Sequence, residues 1–192
     1  MRLCSAALIL ALAACTTAPP TIDYIPSTAT HAARPAAASV TAEDAPGRPP
    51  EDATLLGTVR GGFANPVRRL DAGRPLPDLV AAIATQAMQA RALIGPAAPY
   101  RVHIRIDRLG ASQLVRREAE ARLHLSWVRR SDGRVAFEND GAASIVTGSV
   151  TASEASVFGS VDDLRHTVAE ALSQALDQAL DDPKLARFLA GR

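Results

Sequence analysis

Tyr100-Arg101-Val102-His103-Ile104-Arg105-Ile106-Asp107 is the stretch that decides the fold. Apolar and polar residues alternate through it with period two, the pattern of a strand buried on one face only. Toward the C-terminus, Ala119, Ala121, Leu123, Leu125 and Trp127 repeat the alternation, and Ser131-Asp132-Gly133 turns the chain. Core faces must agree across a hairpin. A two-residue Asp-Gly loop would set Glu138 against Trp127, whereas a three-residue loop with Gly133 in the left-handed region sets Phe137 there. The second arrangement is expected. Asn139 and Gly141 then interrupt the apolar face before Ala143 and Ile145 resume it. All these positions are odd, so Phe137, Ala143 and Ile145 are expected on one face with no bulge between them.

Two helices flank this meander. Leu76, Val80, Ile83, Ala87, Ala90 and Ile94 step by three and four, a single apolar stripe, with Pro77 and Asp78 suited to the first turn and Gly95-Pro96 to the stop. Leu164, Val168, Ala171, Leu172, Ala175 and Ala179 form a second stripe behind the capping sequence Ser160-Val161-Asp162-Asp163. Asp182-Pro183 opens a short final helix with Leu185, Phe188 and Leu189. Before the first helix, Leu55, Gly57 and Val59 read as a short strand ended by Gly61-Gly62, and Arg68 to Arg74 as a loop. The expected class is α+β: an antiparallel sheet in the order strand, helix, three-stranded meander, helix, with both long helices on the face of Ile104, Leu123, Leu125 and Trp127. The face of Arg101, Arg105, Glu120 and Arg122 is expected to be solvated or covered by a partner.

The N-terminus carries an address. Met1 to Cys15 reads MRLCSAALILALAAC, with Arg2 as a positive n-region and an apolar run from Ser5 to Leu12 too short to span a bilayer. Leu12-Ala13-Ala14-Cys15 resembles the bacterial lipobox, which implies cleavage between Ala14 and Cys15 and lipidation of Cys15. Residues 1–14 are thus expected to be a signal peptide. With Cys4 removed and Cys15 acylated, no thiol is left for disulfides or metal. Acyl chains bind at about 0.8 kcal/mol per buried CH₂, so more than one makes the anchor stable. Thr16 rather than Asp after the cysteine implies, by resemblance to enteric lipoproteins, the outer membrane. Residues 15–52 hold seven of the chain's 13 prolines. They are expected to form a Pro/Ala-rich tether, roughly 120–130 Å at full stretch, ahead of a domain spanning 53–192. Thr21-Ile22-Asp23-Tyr24-Ile25-Pro26 interrupts the tether and has the look of a short strand that would dock on the domain edge.

These segments together resemble the YajG-like bacterial lipoproteins. The likeness runs through the lipobox, the early Ile-Asp-Tyr-Ile-Pro, and the helix end Gln89-Ala90-Arg91-Ala92-Leu93-Ile94-Gly95-Pro96. It continues in Ser156-Val157-Phe158 ahead of the second helix and in Leu185-Ala186-Arg187-Phe188-Leu189. The resemblance implies an outer-membrane lipoprotein facing the periplasm, of undefined biochemical role, and brings no catalytic residues.

Composition narrows the chemistry. The chain has 192 residues, 47% of them hydrophobic and only 4% aromatic, so its core must be built from aliphatic side chains. Lys+Arg number 21 against 20 Asp+Glu, and removal of Arg2 makes the mature chain neutral, which argues against nucleic acid as a partner. His103 and His124 share the polar side of adjacent strands without the further ligands a metal needs, while His31 lies in the tether and His166 off its helix stripe. Asp162/Asp163 and Asp181/Asp182 read as charges at helix starts. No nucleophile elbow, HExxH or phosphate loop is present. No enzyme, cofactor or metal is expected. Arginine supplies every basic residue except Lys184, with Arg108, Arg116 and Arg117 near one end of the strands and Arg129, Arg130 and Arg134 near the other. Such forks suit phosphate or carboxylate, but solvated arginines paired with Glu118, Glu120 or Glu138 are the favoured reading. A non-catalytic binding or assembly accessory is the leading expectation. A lipid or lipopolysaccharide transport auxiliary comes next, and an envelope hydrolase last. The sequence names neither an envelope partner nor an oligomeric state.

Overall fold

The computed structural model describes residues 21–26, 34–61, 65–114, 116–148 and 160–191. The signal peptide, Ala14, Cys15, His31 and Ser156-Val157-Phe158 lie outside them. The sheet is built around β4 (Tyr100–Gln113), β5 (Arg117–Arg129) and β6 (Val135–Thr147), which pair antiparallel in that order. Val102, Ile104 and Ile106 face one side with Leu123, Leu125 and Trp127, all at most 2% exposed. Between Ile106 and Arg108 the register shifts by one residue, so Asp107 has no opposite number and the buried parity passes to Leu109. β4 is thereby much longer than its uninterrupted alternation. In the β5–β6 hairpin Gly133 takes φ +70° and Trp127 stands opposite Phe137. From Phe137 to Thr147 the pairing runs without a shift, so Phe137, Ala143 and Ile145 lie on one face.

Beyond the short strand expected over Leu55 to Val59, two further strands correct the expected architecture. β1 (Ala37–Asp44), β2 (Leu55–Arg60) and β3 (Pro66–Asp71) complete a six-stranded sheet. β1 and β2 both pair with β4 in parallel, β1 along its first half and β2 near its end, while β3 pairs antiparallel with β2 at the far edge. The sheet is therefore mixed rather than antiparallel. Residues 66–71, expected mostly as loop, are strand, since Leu70 is fully buried and one buried side chain suffices for an edge strand.

The tether expected over 15–52 is corrected as well. β1 lies inside it, and Ala36 and Ala37 are completely buried. Ten residues run from Pro35 to Pro46 without another proline, long enough to pair with β4 through backbone bonds. Little apolar mass is needed there, because Val40 and Ala42 need only extend a face already formed by Val102 and Ile104.

α1 (Leu76–Ala90) packs against β1 and against α2 (Val161–Leu180), which lies across β6, β5 and β4. Both cover the apolar face. α1 stops one turn before the end of its stripe. Ala92 adopts φ +55°, with the Ala92 N–H bonded to the Gln89 carbonyl at 3.0 Å and the Leu93 N–H to that of Met88 at 2.9 Å. This is a Schellman end with alanine in glycine's place. At α2, Ser160 Oγ accepts the Asp163 N–H. The interruption at Asn139 to Gly141 is the seat of that helix. A Cβ on Gly141 would lie 2.0 Å from the Ala175 carbonyl oxygen, and Asn139 Nδ2 donates to the Ala179 carbonyl at 2.6 Å. α3 (Pro183–Ala190) closes the sheet end, with Phe188 stacked on Phe137 at 5.0 Å and tilted against Tyr100 at 5.2 Å.

Candidate functional site

The most highly organised polar cluster lies where α1 and α2 end side by side. Arg91, one residue past α1, is 1% exposed. Its Nε donates to Asp181 Oδ1 at 2.9 Å and Nη2 to Asp181 Oδ2 at 2.6 Å, a bidentate fork. Nη2 also donates to Asp177 Oδ1 at 2.9 Å, and Nη1 to Tyr24 Oη at 2.8 Å and the Ala87 carbonyl at 3.2 Å. A guanidinium has five N–H donors, and all five are used. Tyr24 Oη in turn donates to Asp177 Oδ1 at 2.5 Å. Burial works against the charge on Arg91, but the hydrogen bonds to Asp181 and Tyr24 outweigh it and hold the guanidinium firmly protonated. Burial pushes the Tyr24 phenol up, and its bond to Asp177 adds to the shift while Arg91 opposes it.

Tyr24 belongs to residues 21–26, which lie as an extended strap along the two helices. The Tyr24 N–H donates to Gln86 Oε1 at 2.8 Å and the Ile25 N–H to Ser173 Oγ at 2.9 Å. Gln86 Nε2 reaches Asp23 at 3.3 Å, and Ile22 is 5% exposed within the core. The strap docks on helices, not as a strand on the sheet edge. Its backbone N–H groups find side-chain acceptors because α1 and α2 have already spent their own carbonyl acceptors internally.

Sequence reading missed this cluster, though two signals were present. Ile83, Ala87 and Arg91 step by four, which places an arginine on the apolar stripe of α1. Asp177 and Asp181 also stand one helical turn apart, a repulsive spacing unless a cation sits between them. Asp181 is therefore no helix-start charge, although Asp182 is one, accepting the Lys184 N–H at 2.7 Å.

The remaining expected residues serve the sheet. Glu120 joins Arg108 and Arg122 at 2.6 and 2.7 Å, Arg117 meets Asp163 at 2.7 Å, and Asp162 pairs with Arg165. At the other end Arg129 meets Asp132 at 2.9 Å, and Arg130 donates to the carbonyls of Pro96 and Ala98. Arg116 and Arg134 are exposed. Arg108, Arg117, Arg129 and Arg130 thus each answer to a different partner. His103 lies between Glu43 and Thr41 of β1, each at 3.1 Å, while His124 meets Asp140 at 2.7 Å and Glu138 at 3.4 Å. The two histidines thus have separate partners. The bond to Asp140 holds His124 above the ordinary imidazole value despite some burial, with Glu138 helping. His166 is exposed on α2, and Tyr100 and Trp127 are core.

No family model matches the chain, and no curated protein matches it. Among solved structures, a DUF330 protein from Xanthomonas campestris overlays with a TM-score of 0.56 at 15% identity, over 88% of this chain and 96% of that one. The two share a fold. A candidate lipoprotein from Caulobacter crescentus overlays more loosely, with a TM-score of 0.39 at 17% identity over 57% and 76% of the two chains. A PelC dodecamer subunit from Paraburkholderia phytofirmans gives 0.38 at 12% identity over 77% and 95%. Among the described residues, no helix is long and apolar enough to cross a membrane.

Proposed function

We propose that this chain is a lipid-anchored lipoprotein of the outer membrane facing the periplasm, related to the YajG-like lipoproteins, and that it works as a non-catalytic binding or assembly accessory. The observation that carries this reading is the lipobox Leu12-Ala13-Ala14-Cys15 behind a short apolar run. The placement of the strap supports it: the chain leaving Cys15 meets a purpose-built seat on the domain within a few residues. The non-catalytic part of the proposal is supported by the polar chemistry described. The buried charges of Arg91 and Asp177 are satisfied together with the more exposed Asp181, and His103 and His124 are each engaged by neighbouring carboxylates.

Labelled palmitate fed to cells expressing the protein tests the anchor. The wild-type chain should take up label and migrate as a processed form, and Cys15→Ser should give an unlabelled precursor. Normal labelling of Cys15→Ser overturns the reading. Proximity crosslinking in intact cells tests the role, and a stoichiometric envelope protein among the products is the expected outcome. Crosslinks to lipid or lipopolysaccharide alone would replace the accessory role with a transport auxiliary.

A further inference from the structure

We infer that the strap fixes the lipid anchor to the helix layer, so that the helices face the membrane and the charged sheet face points away from it. This rests on the lipoprotein reading and adds an orientation to it. Five residues, 16–20, separate Cys15 from Thr21. At full extension that leaves about 20 Å between the lipidated cysteine and the docked strap, against the ~120 Å of a free tether. The leash is short.

Its point of attachment is set by helix geometry. Ala175 and Ala179 of α2 lie against Gly141 of the sheet. Two residues along a helix correspond to a turn of about 200°, so Ser173 and Asp177 stand on the flank of α2 turned away from the sheet. The strap bonds to those two residues and to Gln86 and Arg91 on the α1 side. The anchor therefore leaves from the outer side of the helix layer. Arg101, Arg122 and Asp140, exposed on the opposite face of the sheet, are separated from it by the thickness of a helix and a sheet.

The test uses the full lipidated chain in vesicles of phosphatidylethanolamine and phosphatidylglycerol that carry a nitroxide on the lipid headgroup. With Cys4 removed and Cys15 acylated, a single introduced cysteine is the only thiol to take a fluorescent label. Gln174→Cys reports the helix layer and Arg101→Cys the open sheet face, both positions being exposed. Quenching should be severalfold stronger at position 174 than at 101. A Gly/Ser insert of about 30 residues after Pro20, adding a mean span of about 30 Å, leaves the clasp intact and should weaken quenching at both sites. Tyr24→Ala removes the strap's side-chain bonds to Arg91 and Asp177 and should bring the two sites closer to equal. A vesicle-bound wild-type chain with equal quenching at both positions overturns the inference and leaves the lipoprotein reading standing. A chain that never binds vesicles overturns both.

Discussion

Arg91 holds three elements with one side chain, and its removal should show it. Arg91→Ala leaves two carboxylates facing each other without their cation, and should cost about 3–5 kcal/mol in urea titration. Tyr24→Phe removes a single hydroxyl from the same cluster and should cost about 1–2 kcal/mol. Ala92 offers the opposite sign. Its φ of +55° puts an L-residue where glycine sits without penalty, and the side chain is exposed, so Ala92→Gly should stabilise the protein by about 1 kcal/mol. His124 supplies a pH dependence. Its bond to Asp140 raises its pKa in the folded state above the 6.5 of a free imidazole. It therefore contributes stability that is fully present below pH 6.5 and is lost as pH rises through the raised value. His124→Gln should flatten stability against pH in the window from 6.5 up to that raised value, checked by thermal melts across the range. The pairings themselves were not legible residue by residue. The spacing of Ile83, Ala87 and Arg91 and of Asp177 and Asp181 marks each half of the cluster, but nothing in the chain pairs halves that stand 86 residues apart.

At the scale of elements, what could be read was whatever buries one face by itself. The alternation at 100–107 and 119–127 and the stripes of α1 and α2 each need a partner surface, and their periods are written in the chain. β1 and β3 escaped because they bury almost nothing of their own. β1 joins a sheet edge through its backbone with alanine, serine and threonine, and β3 hides only Leu70. The bulge at Asp107 escaped because a one-residue shift resets the parity and ends the visible alternation while the strand continues. Asn139 and Gly141 looked like a defect within β6, but they receive α2. Gly141→Ala would drive a methyl group into the backbone at Ala175, which cannot retreat without lifting the helix from the sheet. It should cost about 3 kcal/mol or more. Gly133→Ala in the open hairpin turn meets nothing and should cost only about 1 kcal/mol for its positive φ. The two melting temperatures compare them directly.

The molecule as a whole is a mixed sheet with one apolar face under two helices and one charged face left open, and the strap is clasped to the helix side. That asymmetry has a direct consequence for stability. Leu125, 1% exposed, replaced by Asp should cost about 4–5 kcal/mol, since it strands an unpaired charge in the core. Arg122→Ala, whose partner Glu120 keeps Arg108, should cost under about 1 kcal/mol. Ile22, Tyr24 and Ile25 set residues 21–26 apart from the Pro/Ala-rich run around them and point to docking, but an extended hexapeptide carries no period that tells a helix seat from a sheet edge. The central claim is that this strap is part of the fold. Amide hydrogen exchange at Tyr24 and Ile25 tests it most directly, because their N–H groups are bonded to Gln86 and Ser173. In the chain from Cys15 onward, those two amides should be protected far beyond a free peptide, and Arg91→Ala should lower that protection more at the strap than in β5. Exchange of both amides at the free-peptide rate in the wild-type protein would contradict the account.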